Sequence, residues 1–184
     1  MRKPMGYRNA EAVYHQSHAG RLLKPRGGQV ALDTTALNML TYMALNSYDW
    51  PISIDMRRKF IPARCYARGW DKMAEDFGML IVGGDRLAKI GLDGEALQAA
   101  MSSRRNTARA RLSQTAKFLQ AQGLIKQLLP ADVRREKPAV WLLTIGDDEE
   151  NAKVEDWART CYGLRPIPAH FLPTKSDENH RKTP

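Results

Sequence analysis

Ten side chains in two short stretches have the chemistry to hold a polyanion. Arg104, Arg105, Arg109, Arg111, Ser113, Gln114 and Lys117 fall in a segment whose apolar residues recur with a helical period. Arg134, Arg135 and Lys137 fall between two apolar runs. A guanidinium is a planar fork of donors that suits phosphate oxygens and the O6/N7 edge of guanine, and a Gln amide suits the N6/N7 edge of adenine. Arg109, Arg111, Gln114 and Lys117 are therefore expected on the outer face of one helix that reads bases, with Ser113 as a phosphate or base contact. Arg104 and Arg105, near that helix's start, are expected over phosphates. Arg134, Arg135 and Lys137 are expected at a hairpin tip that enters an adjacent minor groove or rides its rim. The plain alternative for both stretches is a solvated charged surface.

The charge pattern favours the anion-binding reading. The chain has 184 residues with 29 Lys plus Arg and 20 Asp plus Glu, for a net charge of +9. Residues 101–140 hold nine of the bases against only Asp132 and Glu136, whereas a solvated face usually mixes the signs. The same block is read as turning its apolar residues inward, which suits duplex DNA better than a lipid surface. The length fits one domain with tails, and 43% hydrophobic residues can bury a core. No apolar run approaches the roughly 18 residues of a spanning helix, and no apolar stretch follows the basic start as in a secretory signal. Cys65 and Cys161 make no disulfide framework and are expected as reduced thiols of a cytoplasmic protein.

Other chemistries lack their residues. There is no Gly-x-x-x-x-Gly-Lys-Ser/Thr loop, and Gly83-Gly84-Asp85 is not a dinucleotide fingerprint. His15 and His18 have a spacing seen in metal sites, but nothing near them in sequence supplies further ligands. The acids gather at Asp147 to Glu150, which reads as a helix start rather than as a pair of metal-holding carboxylates. Tyr162 and His170 do not make the Tyr and clustered His of a strand-nicking enzyme. The expectation is a protein with no catalytic residue, metal, cofactor or small-molecule substrate.

The elements that must position these residues follow from periodicity and punctuation. Residues 1–30 read as a basic, flexible arm with local order at most around Ala10 to His18. Asp33 to Asp49 reads as a helix capped by Asp33 or Thr34 and ended by Trp50-Pro51. Residues 52–68 read as an irregular basic stretch. Trp70, Met73, Ala74 and Phe77 form the apolar face of a second helix that stops at Gly78. Residues 79–94 read as a loop with a helical piece at Asp85 to Ile90. A long helix is expected from about Glu95 to Gln122, with a break allowed near Ser102 to Asn106. Its buried face is Ala108, Leu112, Thr115, Ala116 and Leu119. Leu124–Leu129 and Ala139–Ile145 pair as an antiparallel hairpin around the basic loop. Trp141, Leu143 and Trp70 are expected in the core, and Tyr66 and Trp50 either in the core or stacked on nucleic acid. A helix over 147–164 presents Val154, Trp157, Ala158 and Cys161 inward, and 165–184 is a flexible tail.

Met73-Ala74-Glu75-Asp76-Phe77-Gly78 resembles the positioning helix of winged helix-turn-helix proteins, usually Leu-Ala-x-x-Leu-Gly. Leu119-Gln120-Ala121-Gln122-Gly123-Leu124-Ile125 resembles the ending of their recognition helix, and the hairpin that follows resembles the wing. The resemblance covers about residues 31–146. More loosely, Val30 to Gly78, with its Tyr66-Ala67-Arg68-Gly69-Trp70 step, is similar to helix-turn-helix proteins of actinobacterial plasmids and phages. The resemblance implies a mainly α fold with a small β-hairpin, and duplex DNA as partner. It implies a transcriptional regulator or a replication or maintenance factor of a phage or plasmid, which often forms a homodimer. An adaptor whose basic face meets an acidic protein partner, or an RNA binder, are the alternatives. The departure is large: Gly78 and Leu112 are 34 positions apart where the family has a few residues. Residues 79–103 are therefore either an insertion or an N-terminal extension of the recognition helix. Leu87-Ala88-Lys89-Ile90-Gly91 imitates the positioning helix, but with an Ala-to-Gly spacing one short.

Overall fold

The computed structural model describes residues 5–83 and 94–165. Among them the fold is mixed α/β, with six α-helices and two small antiparallel sheets. The helices are α1 (Tyr7–His18), α2 (Thr34–Leu45), α3 (Ile54–Arg58), α4 (Gly69–Asp76), α5 (Gly94–Ala121) and α6 (Asp148–Cys161). The strands are β1 (Leu23–Arg26), β2 (Gln29–Leu32), β3 (Cys65–Tyr66), β4 (Ile125–Leu129) and β5 (Val140–Leu143). The pairs are β1 with β2, and β3, β5 and β4 in that spatial order.

The segment read as a flexible arm is corrected from Tyr7 onward: it is built into the fold. Val13 and Leu22 are fully buried in the main core against α2. The Asp49 carboxylate accepts from the Gly6 and Asn9 backbone N–H groups at 3.1 and 3.0 Å. It thus caps α1 from across the fold, satisfying donors that a helix start leaves free. Gly6 is required for this docking: its φ is +80°, and a Cβ there would stand 2.4 Å from the Ala44 carbonyl oxygen. No local signal in residues 1–30 announces a cap that lies about forty positions away.

α2 begins as its sequence requires, with the Asp33 carboxylate accepting from Ala36 N–H at 3.0 Å. It stops at Leu45, short of the expected Asp49. The Asn46 amide and the Ser47 hydroxyl donate to the carbonyls of Tyr42 and Met43, competing for the last helical acceptors. The basic stretch after it is not irregular throughout, since it supplies α3 and β3.

β5 is the centre of the larger sheet and is buried at all four residues. Trp141 and Leu143 face the main core with Leu112 and Leu119 of α5, while Val140 and Leu142 face Val154 and Ala158 of α6. A strand covered on both faces reads as a continuous apolar run, which is why Val-Trp-Leu-Leu is the clearest strand in the sequence. The expected hairpin is therefore present, but β3 joins it as a third strand. Tyr66 on β3 is fully buried, with its hydroxyl donating to the Gly69 carbonyl at 2.8 Å. Its ring is a core group, not a platform for bases.

A buried arginine links these parts. Arg64 is 4% exposed and has a left-handed φ of 52°. Its Nε donates to Asn9 Oδ1 and one terminal amine to Glu150 Oε1, both at 3.1 Å. It joins α1, the entry to β3 and α6. In the sequence Arg64 looks like one more member of a basic connector.

α5 is continuous from Gly94 to Ala121, with no break at 102–106. Residues 94–103 are thus an N-terminal extension of the long helix. The helical piece expected at Asp85 to Ile90, the look-alike at 87–91 and the tail beyond 165 lie outside the described residues. No helix among the described residues is long and apolar enough to cross a membrane.

Candidate nucleic-acid interface

The floor of the site is the α4–α5 pair. Met73 and Ala74 of α4 and Ala108, Leu112, Ala116 and Leu119 of α5 are buried in one cluster, with Trp70 and Phe77 half-buried against it. The hairpin is seated on this pair by aromatic rings. Trp70 lies 5.3 Å from Trp141 and 6.2 Å from Tyr66, centroid to centroid. Gly69 allows the close approach, since a Cβ there would meet the Pro138 ring at 3.3 Å. The base of the β4–β5 loop is thereby fixed beside the N-terminus of α4.

The loop tip is ordered by its one aspartate. Asp132 Oδ1 accepts from the backbone N–H groups of Arg134 and Arg135 at 3.1 and 3.2 Å, closing a single 3-10 turn over Val133–Arg135. Asp132 and Lys137 exchange two backbone hydrogen bonds at 2.9 and 3.0 Å beneath it. With the backbone so tied, the side chains of Arg134, Arg135 and Lys137 are all exposed, and Val133 is 88% exposed beside them. The structure brings these three bases together as expected.

It does not bring Arg109, Arg111, Gln114 and Lys117, the four expected to read bases, onto one face. Residues two apart on a helix are separated by about 200° of rotation, so Arg109 and Arg111 flank opposite sides of α5. Arg109 turns to α4, where Nε donates to Asp71 Oδ1 at 2.5 Å and a terminal amine bonds the other oxygen. Arg111 turns the other way, lining a shallow groove with Tyr42 and Leu45 of α2 and with Phe77 and Met79. Arg105, Arg109 and Ser113 follow one stripe at four-residue spacing, on the α4 side. Arg111 and Gln114 follow another. Lys117 stands on the ridge between them. The single reading face is corrected accordingly: its members span more of the helix circumference than one groove wall can meet.

Arg105, Gln114 and Lys117 are exposed, and Ser113 is half-buried. Arg104 is half-buried, its Nε sealed from solvent without a hydrogen-bond partner, against the groove that Met79 and Thr107 line. It is not free over a backbone as expected.

Asp71 is the residue that the sequence reading missed. The hydrogen bonds from Arg109 hold its carboxyl below the usual carboxylate range, with the charges of Arg109 and Arg105 adding to this, and Arg109 is raised in turn. It places a fixed negative charge beside the basic stripe. Its partner is 38 positions away, so no spacing rule could have found the pair.

Neither thiol is activated by its surroundings. Burial pushes Cys65 well up and Cys161 up to about 12, so neither is a ready nucleophile or ligand. Cys161, expected as a core thiol, is half-buried at the edge of the Trp157 cluster. Among the described residues no three His, Cys, Asp or Glu side chains gather where they could hold a metal ion.

Compared with known proteins, the chain matches no family model, no curated protein and no solved structure.

Proposed function

We propose that this is a duplex-DNA-binding protein of winged helix-turn-helix type, without catalytic activity. In this reading α4 positions the protein and the C-terminal half of α5 lies in the major groove. The β4–β5 tip reaches the flanking backbone or minor groove. A groove about 12 Å wide admits one helix, and the side chains offered to it here are Ser113, Gln114 and Lys117, with Arg105 left to the flanking phosphates. One observation carries the reading: the exposed Arg134, Arg135 and Lys137 tip belongs to the hairpin that Trp141 seats against Trp70 of α4, ring centroids 5.3 Å apart. A charged hairpin tip at an arbitrary place on the surface would have no reason to sit beside a basic helix.

A gel-shift series with random-sequence and selected duplexes at low salt tests it. A shift that weakens steeply with salt is the expected result. No shift of any duplex at low salt would sink the reading. Capture of an acidic protein partner, or preference for structured RNA over duplex DNA in direct competition, would point to the adaptor or RNA-binding alternatives. Selection from a random duplex library defines the site, and footprint length reports monomer or homodimer. A transcriptional regulator or a replication or maintenance factor of a phage or plasmid would each show a defined site.

A further inference from the structure

The β1–β2 hairpin contributes almost nothing to the core. All four residues of β2 are exposed, and Leu23, Val30 and Leu32 are 42%, 65% and 40% exposed. An isolated two-stranded hairpin is marginal in water, so something must hold it. Its base is clamped to the end of α5, where the Arg21 guanidinium donates to the Gln122 carbonyl. On its side, Lys24 Nζ lies 5.5 Å from the centre of the Phe118 ring of α5. Its turn is Gly27-Gly28, with φ of 59° and 82° and nothing within 4 Å of either Cβ position. The turn thus projects into solvent, and strands of four residues give the ribbon a reach of roughly 13 Å.

The register sorts its residues. Leu23 pairs with Leu32 and Pro25 with Val30, alternating with the Lys24–Ala31 and Arg26–Gln29 pairs. Successive residues of a strand face opposite ways, so Lys24 is on the face away from Leu23, Val30 and Leu32. From Arg21 to Gln29 the sequence has three bases and no acid. Phe118, which Lys24 covers, is one helical turn beyond Gln114, and residues four apart on a helix are neighbours on one face. Lys24 therefore extends the Arg111–Gln114 stripe, on the side of α5 away from the α4 and wing contact. Its ion pair to Asp33 is 3.9 Å long, and its side chain stays 57% exposed.

We infer that the β1–β2 ribbon is a second DNA-contacting element, gripping the sugar–phosphate backbone on the side of α5 opposite the wing. The inference rests on the duplex-DNA reading above and deepens it: α5 in the groove would be flanked by a basic ribbon on each side. The two ribbons differ in origin, one lying between α1 and α2 and one between α5 and α6.

The test uses the full chain and a selected duplex, by salt titration and hydroxyl-radical footprinting. Lys24→Ala/Arg26→Ala is expected to flatten the slope of log K against log salt by about one to two and to weaken low-salt binding about tenfold. It should lose backbone protection on one flank only, while Arg134→Ala/Arg135→Ala loses protection on the other. Lys24→Met, which keeps the aliphatic stem and removes the charge, should flatten the slope by about one, which a merely structural role for the stem would not predict. A matched thermal melt checks that the substituted chain is folded. Wild-type binding with an unchanged slope and footprint in Lys24→Ala/Arg26→Ala overturns the ribbon inference alone. Absence of any wild-type shift overturns it together with the reading beneath it.

Discussion

Arg109 grips Asp71 with both ends of its guanidinium fork, tying the middle of α5 to the first turn of α4. Both side chains stay about half exposed. An exposed pair is worth at most about 1 kcal/mol, so it is a weak brace. Its larger effect is on charge, because it occupies one arginine of the basic stripe and adds an anion next to it. Asp71→Asn is expected to raise affinity for duplex DNA and to steepen the salt slope by up to about one ion. Salt-titrated binding isotherms check this, and an unchanged or weaker affinity would place the DNA elsewhere. For stability the sign is the usual carboxylate one. The folded value of Asp71 is depressed, so the pair contributes fully above the ordinary range and is lost as pH falls through the depressed value.

The tip arginines carry no base-reading geometry: Asp132 holds their backbone N–H groups, and Arg135 Nε lies 3.7 Å from the same carboxylate. Arg134→Ala/Arg135→Ala should weaken binding to all duplexes alike and flatten the salt slope by about two ions. Measurement on two unrelated sequences separates this from a specific contact: a loss confined to one sequence would contradict a backbone role.

Gln114 is an exposed amide of α5 with both donor and acceptor to offer a base edge. Gln114→Ala is expected to cost about 1–3 kcal/mol at one base position and to relax preference there. Comparing selected sites for the two proteins reads the outcome. An identical preference would mean that α5 meets the groove by another stripe.

Arg64 tests the fold rather than the interface. Arg64→Ala leaves the Asn9 side chain without its donor in the interior and Glu150 without its ion pair. Glu150 is 32% exposed and can turn partly to water, so a loss of about 2–3 kcal/mol is expected rather than the upper range for a buried pair. Denaturant unfolding measures it. The slope of free energy against denaturant should stay the same if the substituted chain reaches the same native state.

Burial raises Cys161 to about 12, against about 8.5 for a free thiol. At pH 8 the folded thiolate fraction is then lower by roughly a thousandfold. Labelling of the native protein with an aromatic disulfide reagent should be slower than that of the unfolded chain by about tenfold or more, because the loss of thiolate outweighs the greater nucleophilicity of a more basic thiolate. A fast-reacting native thiol would mean that the edge of the Trp157 cluster opens readily.

What the sequence alone determined is what repeats within a few residues. The apolar faces of α2, α4, α5 and α6, the Asp33 and Asp147 caps and the pairing of β4 with β5 all depend on neighbours one to four positions apart or on one short loop. The concentration of base in 101–140 is likewise legible without a fold. The ribbon at 23–32 was within reach, since Gly-Gly between alternating residues is a hairpin signal. It was hidden by the apparent disorder of a glycine-rich basic arm.

Only the tertiary structure decided where these pieces meet. Asp49 caps α1, Arg64 reaches Asn9 and Glu150, β3 joins β5, and Asp71 holds Arg109, each across 38 or more positions. Such contacts leave no periodic trace, because a carboxylate that caps a distant helix looks in sequence like any surface acid. The same holds for the division of the α5 bases into two stripes. Periodicity tells which residues leave the core face, but which neighbour claims each one depends on the helices packed to either side. Arg109 went to α4 and Arg111 to the α2 groove because those walls stand on opposite flanks of α5.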